Sequence, residues 1–299
     1  PPSSTRVGIR RQRQMCIRDR ANPGRHLEKA LQSEDVLQLP RALKAAGELG
    51  AVSSLPLVQK YLEHADDACR FQAARSAVLL GDRSAVKLLS LFALTDNIFR
   101  RKAMDVVLRV MEPPDAQKMI RQMAADKSHL RFALIASGIQ GDPVYLPALM
   151  RQFENEEVAQ VAGESFEMIT GLNMFRESLE VIPENPVPDS GQEDAKENDL
   201  EDDEDEKEGL KEDMGLVFPD IDKMSTWFEE NKGRFNAGQR YLCGLPVSVE
   251  SCFGILRTGQ QRQRQAAALE LVIAQPGSVL FETRAKGRRQ LRLLAKKQG

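Results

Sequence analysis

The chain has 299 residues, 41% hydrophobic and 29% charged, with a formal net charge of −2, which is length for one large domain or two ordinary ones. Aromatics make up only 5%, which argues against an all-β sandwich or barrel, while abundant Ala, Leu, Arg, Gln and Glu favour helix. No run reaches the roughly 18 consecutive apolar residues of a membrane span, and 4 Cys in a chain this long make no disulfide framework.

Residues 1–20 are rich in Arg and lack apolar periodicity. An Arg-rich, acid-poor start also fits a mitochondrial-type presequence. The run Met15-Cys16-Ile17-Arg18-Asp19-Arg20 back-translates to the mosaic-end adapter of transposase-based sequencing libraries. Residues 1–20 are therefore expected to be a non-native artefact. Native sequence is expected to begin near Ala21, with the true N-terminus missing.

From residue 21 to 182 an internal repeat organises the chain. RALKAAGEL runs into Gly50, RFQAARSAVLL into Gly81, RRKAMDVVLRV into Met111, LRFALIASGIQ into Gly141 and SFEMIT into Gly171. These anchors step by 31, 30, 30 and 30 residues. Ala73, Ala103, Ala133 and Gly163 form a second row of small residues that lets paired helices approach closely. Each unit carries two apolar stripes at helical spacing, for example Val52–Glu63 (Leu55, Val58, Leu62) and Asp67–Leu80 (Phe71, Ala74, Ala77, Val78). Asp66 or Asp67, Asp96, Asp126 and Asp142 are placed to cap helix N-termini, and Pro113, Pro114 and Pro143 to begin helices. Gly81, Gly141 and Gly171 suit helix C-caps. A two-helix unit of about thirty residues repeated in tandem predicts an all-α fold, an α-solenoid of HEAT-like helix pairs. The Trp/Leu-Gly/Tyr and Thr-Pro-Leu-His signatures of tetratricopeptide and ankyrin units are absent.

Residues 183–215 change character. Pro183, Pro186 and Pro188 break helix, and residues 189–213 hold 14 acidic against 3 basic residues. This segment is predicted to be a disordered acidic linker. It also has the charge to dock on a basic partner or on the chain's own C-terminus, with Arg284, Lys286, Arg288, Arg289, Arg292, Lys296 and Lys297.

Residues 216–299 read as helical again. Ile221–Asn231 carries Met224, Trp227 and Phe228; residues 245–275 suit one more HEAT-like helix pair, and 278–296 a terminal cap. In order along the chain come VAGESFEMITGLNM, an acidic segment, PDIDKMSTWFEENKGRFNAGQRYLCGLP, LRTGQQRQRQAAALEL and PGSVLFETRAKGRRQ. On these motifs the chain resembles, over about residues 25–295, a proteobacterial family of uncharacterised HEAT-repeat proteins associated with type VI secretion gene neighbourhoods. The family usually has paired Trp where this chain has Trp227-Phe228. The resemblance implies a secretion-associated cytoplasmic role but no mechanism.

No catalytic, cofactor-binding or metal-ligating set emerges. Cys243 and Cys252 lie nine apart without a nearby His, outside zinc-ligand spacing, and read with Cys69 as packed thiols. His26, His64 and His129 share no spacing, the acidic run has no EF-hand order, and no Gly-rich phosphate loop occurs. Arg70, Arg100 and Arg131 recur near second helices, suiting either a ladder between repeats or a partner surface. Gln261, Arg262 and Arg264 open the most polar helix start and can recognise a carboxylate or peptide backbone, or form the same ladder. Trp227 is an interface anchor or core. Arg240 and Tyr241 complete the candidate partner-binding residues. The expected function is a non-catalytic protein–protein scaffold or adaptor handling a type VI secretion effector or spike component. The chain is expected to be a monomer and to bind neither cofactor nor nucleic acid. The alternative is a HEAT-like enzyme of lyase or DNA glycosylase type, which needs a pigment pocket or a basic, aromatic-lined surface.

Overall fold

A computed structural model describes residues 24–181 and 215–296. The proposed adapter stretch and all of the acidic segment except Gly215 lie outside them. The described chain is mostly helical. In order come α1 (Arg25–Leu31), α2 (Leu39–Glu48), α3 (Leu55–Gln59), α4 (Asp67–Leu79), α5 (Val86–Leu94), α6 (Arg100–Val110), α7 (Pro113–Ala124), α8 (Leu130–Gln140), α9 (Leu146–Met150) and α10 (Ala159–Thr170). After the acidic segment come α11 (Ile221–Asn231), strands β1 (Tyr241–Leu242) and β2 (Leu245–Pro246), then α12 (Val249–Thr258), α13 (Gln261–Ala274) and α14 (Gly287–Lys296). Among the described residues no helix is long and apolar enough to cross a membrane.

The helices α2, α4, α6, α8 and α10 end at Glu48, Leu79, Val110, Gln140 and Thr170, so each stops just before its anchor residue. The stops have local causes. Gly141 and Gly171 adopt left-handed C-cap conformations, which relieve a helix of its last turn at no Cβ cost. The starts are equally local. Asp66 caps α4 by accepting the Cys69 N–H, and Asp220 caps α11 by accepting the Lys223 N–H, contacts worth about 1 kcal/mol each. Asp126 and Asp142 cap short 3₁₀ turns ahead of α8 and α9. Near Asp96 the capping group is instead Asn97, whose side chain accepts the Phe99 N–H.

The stripe at Val52–Glu63 is a shorter helix than expected. It forms a 3₁₀ turn at Val52–Ser54 and then α3, which ends at Gln59. The following residues turn, and the Tyr61 hydroxyl donates to the Leu31 carbonyl. A hairpin that the helical reading of residues 216–299 does not contain is also present. Tyr241 pairs with Pro246 and Leu242 with Leu245, across a turn in which Cys243 (φ 52) and Gly244 (φ 78) are both left-handed. That is the backbone of a type I′ turn.

Two compact units form, divided within α7. The first comprises described residues 24–116 and 247–296, so α12–α14 pack with α1–α6 although the acidic segment and the second unit intervene in sequence. Its core holds Leu43, Phe71, Leu79, Leu89, Met104 and Leu108. Phe71 stacks on Phe99 at 4.6 Å between ring centroids, with Phe92 edge-on to both. The second unit, residues 117–246, closes over Leu146, Leu149, Phe166, Ile169 and Met224.

Small residues decide how closely the helices approach. A Cβ on Gly47 of α2 would lie 2.7 Å from the Ser76 Cα of α4, and the Ser76 hydroxyl donates to the Leu43 carbonyl at 2.7 Å. In the second unit a Cβ on Gly138 of α8 would lie 2.9 Å from the Ser165 Cα of α10. The same Gly–Ser crossing thus occurs once in each unit.

Candidate functional site

Each unit has an extended strap that runs over the C-terminal ends of two packed helices. A helix leaves its last four carbonyls without intrahelical partners. In the second unit the hairpin segment supplies donors: Tyr241 N–H to Gly141 O at 2.8 Å, Cys243 N–H to Met168 O at 2.7 Å and Gly244 N–H to Ile169 O at 3.0 Å. In the first unit Gly277 N–H donates to Leu79 O at 3.1 Å and Leu280 N–H to Glu48 O at 2.9 Å. The anchor glycines are therefore docking floors as well as caps. A Cβ at Gly50 (φ 65) would lie 2.1 Å from the Gly277 carbonyl oxygen.

This accounts for several residues singled out by sequence. Arg240 extends its strap contact, donating from Nε to the Gln140 carbonyl at 2.8 Å. Tyr241 is buried, packs edge-on to Phe235, and its hydroxyl accepts the Asn236 N–H. Trp227 is half-buried with its ring 5.9 Å from Phe166, an orientation and distance suited to aromatic packing. In the first unit Gln261 reaches Thr283, while Arg264 donates to the Leu256 carbonyl and to the Gln290 side chain. Arg262 is half-buried on the same helix start. These six residues fall in separate units, three in each.

Arg70 pairs with Asp67 in its own first turn. Arg100 is buried and donates to the Ala93 carbonyl; burial lowers its pKa, with Asp96 opposing. Within the same unit Arg75 pairs with Glu48 at 3.3 Å and Gln59 donates to Asp82 at 2.7 Å.

The first unit contains a concavity. It is a groove of about 560 Å³ lined by residues of the α5 region, the end of α6 and the start of α7. Arg83, Lys87, Glu112 and Asp115 rim it, all exposed. Its floor is Arg109, whose side chain is 2% exposed and lies 3.2 Å from the Glu270 carboxylate. Arg109 also donates to the Asp105 carbonyl at 2.5 Å and to its carboxylate at 3.2 Å. Neither Arg109 nor Glu270 stands out by motif or spacing. The available signal is one carboxylate inside the apolar run AAALELVIA, since a charge there must be paired.

At the N-terminus of α4, His64, Asp66 and Cys69 bring one ligand-type atom each within 4.8 Å of one another. His64 Nδ1 accepts the Asp66 N–H at 3.1 Å. Burial, with the Asp66 carboxylate beside it, pushes the Cys69 thiol up to about 12. The spacing His-x-Asp-x-x-Cys lacks the paired cysteines by which zinc patterns are read, which hides the group in the sequence. In the second unit, burial pushes the Glu167 carboxyl up to about 7, against the Met174 N–H that it accepts at 2.6 Å and with Glu164 adding to the rise.

No family model, no curated protein and no solved structure matches the chain.

Proposed function

We propose that the chain is a non-catalytic protein-binding scaffold whose units are built from stacked HEAT-like helix pairs. The observation that carries this reading is the groove. It is open, its rim carries both signs of charge, and its Arg109 floor is held by carboxylates on two other positions of the same unit. A rigid floor under a mixed-charge rim suits a polar protein segment, because a preorganised surface loses little entropy on binding. Charges at such a rim set the choice of partner more than raw affinity. The motif resemblance directs the search for that partner to secretion effectors and spike components in a bacterial cytoplasm, with the scaffold acting as a monomer.

The test is capture of partners on the full chain, followed by titration calorimetry with the captured protein. Lys87→Glu combined with Glu112→Lys reverses two of the four rim charges without touching Arg109. The expected result is a stoichiometric complex weakened at least about ten-fold by the double variant, about 1.4 kcal/mol. A complex of unchanged affinity would remove the groove from the binding surface. Turnover of a captured small molecule would replace the scaffold reading with an enzymatic one.

A further inference from the structure

We propose that His64, Asp66 and Cys69 form a binding site for a divalent cation of the zinc class. The three side chains come from six consecutive residues, and helix geometry brings them together. Asp66 is the N-cap of α4, and its Oδ1 is fixed by the Cys69 N–H at 2.8 Å. That bond holds the third residue of the first turn against the cap, which sets the Cys69 sulfur beside the carboxylate. His64, two residues before the cap, is folded back by its own bond to the Asp66 N–H.

Capping alone requires only Asp66. The imidazole and the thiol add the two ligand types that select zinc-class ions over calcium or magnesium, which favour all-oxygen sites. Zinc bonds run about 2.0 Å to nitrogen or oxygen and about 2.3 Å to sulfur, so tetrahedral ligands sit about 3.5 Å apart. The three atoms lie within 4.8 Å of one another. Closing on an ion therefore needs movements of about 1 Å, within reach of a rotamer adjustment in two half-buried side chains.

Access is one-sided. Cys69 is fully buried, while His64 and Asp66 are half-buried. An ion enters past the imidazole and carboxylate and meets the sulfur at the bottom. Coordination forms a metal–sulfur bond and breaks the S–H bond, whose proton passes to solvent. The bound form carries one thiolate, one carboxylate and one neutral imidazole, with the fourth position open to water. Three protein ligands and an open position are what distinguish reactive or regulatory zinc sites from closed structural ones.

The experiment titrates the full-length, reduced chain with Co²⁺ and follows its absorption. One equivalent is expected to give ligand-field bands in the visible and a sulfur-to-cobalt charge-transfer band in the near ultraviolet, both displaced by Zn²⁺. Cys69→Ser is expected to abolish the charge-transfer band, and His64→Gln to weaken binding at least about ten-fold, or 1.4 kcal/mol. Both variants keep the Asp66 cap, so circular dichroism is expected to be unchanged. Cys243→Ser, which alters another thiol, is expected to bind like the parent chain. Absence of the bands at saturating Co²⁺, or their persistence in Cys69→Ser, overturns the assignment.

Discussion

Replacing Gly171 by alanine tests whether the strap, and not only the C-cap, is what the repeat glycine serves. Gly171 has φ 74, and an added Cβ would lie 2.4 Å from the Cys243 oxygen and 2.5 Å from its carbonyl carbon. Gly238, in the same unit, has φ 83 but nothing within 4 Å of its would-be Cβ. Both alanine variants therefore carry the left-handed cost of about 1–2 kcal/mol. Only Gly171→Ala also pushes on backbone. The strap must lift, losing the Cys243-to-Met168 and Gly244-to-Ile169 hydrogen bonds, each worth about 1 kcal/mol net. The difference between the variants is then about 2 kcal/mol, or roughly 30-fold in an opening equilibrium. Hydrogen exchange followed by mass spectrometry on peptides covering 241–246 reads that opening directly, without assuming two-state unfolding. Gly171→Ala is expected to exchange roughly 30-fold faster there than Gly238→Ala. Exchange within about three-fold in the two variants would refute the argument, since the shared backbone cost cancels between them.

Glu270→Ala leaves the Arg109 guanidinium buried and still paired with Asp105; the expected loss is about 3 kcal/mol in urea unfolding, the lower end for a broken buried pair. A double-mutant cycle with Arg109→Leu is expected to recover part of that loss, and simple additivity would contradict the pairing. Glu167 titrates higher in the folded chain, about 7 against 4.5, so the folded state holds its proton more tightly. Its favourable contribution is complete below about pH 4.5, fades as pH rises to about 7, and above that leaves a deficit of about 3 kcal/mol. Glu167→Gln is thus expected to raise the melting temperature at pH 8 and to flatten its fall between pH 5 and 8; an unchanged pH slope would place the carboxyl in a more polar setting than the structure gives it.

Much of the helical framework is legible in the sequence because its signals are local. A left-handed Gly, an aspartate cap or a 3.6-residue apolar stripe acts within a few residues, so the stops of α2, α4, α6, α8 and α10 and the full span of α11 follow from residue order alone. The helix Gln261–Ala274 and its neighbour Val249–Thr258 are legible for the same reason. Their destination is not. That α12–α14 pack with α1–α6 depends on contacts such as Arg109 with Glu270 and Gly277 with Leu79, and periodicity carries no information about which distant helix a stripe will cover. The type I′ hairpin is hidden because Cys-Gly replaces the usual Asn-Gly, and its register is held by carbonyls at the ends of α8 and α10. The contacts of Arg240, Tyr241 and Arg264 are set in the same way. Their polar or aromatic character is written in the sequence, but only the tertiary structure supplies the orphan helix-end carbonyls and buried partners that draw them inward.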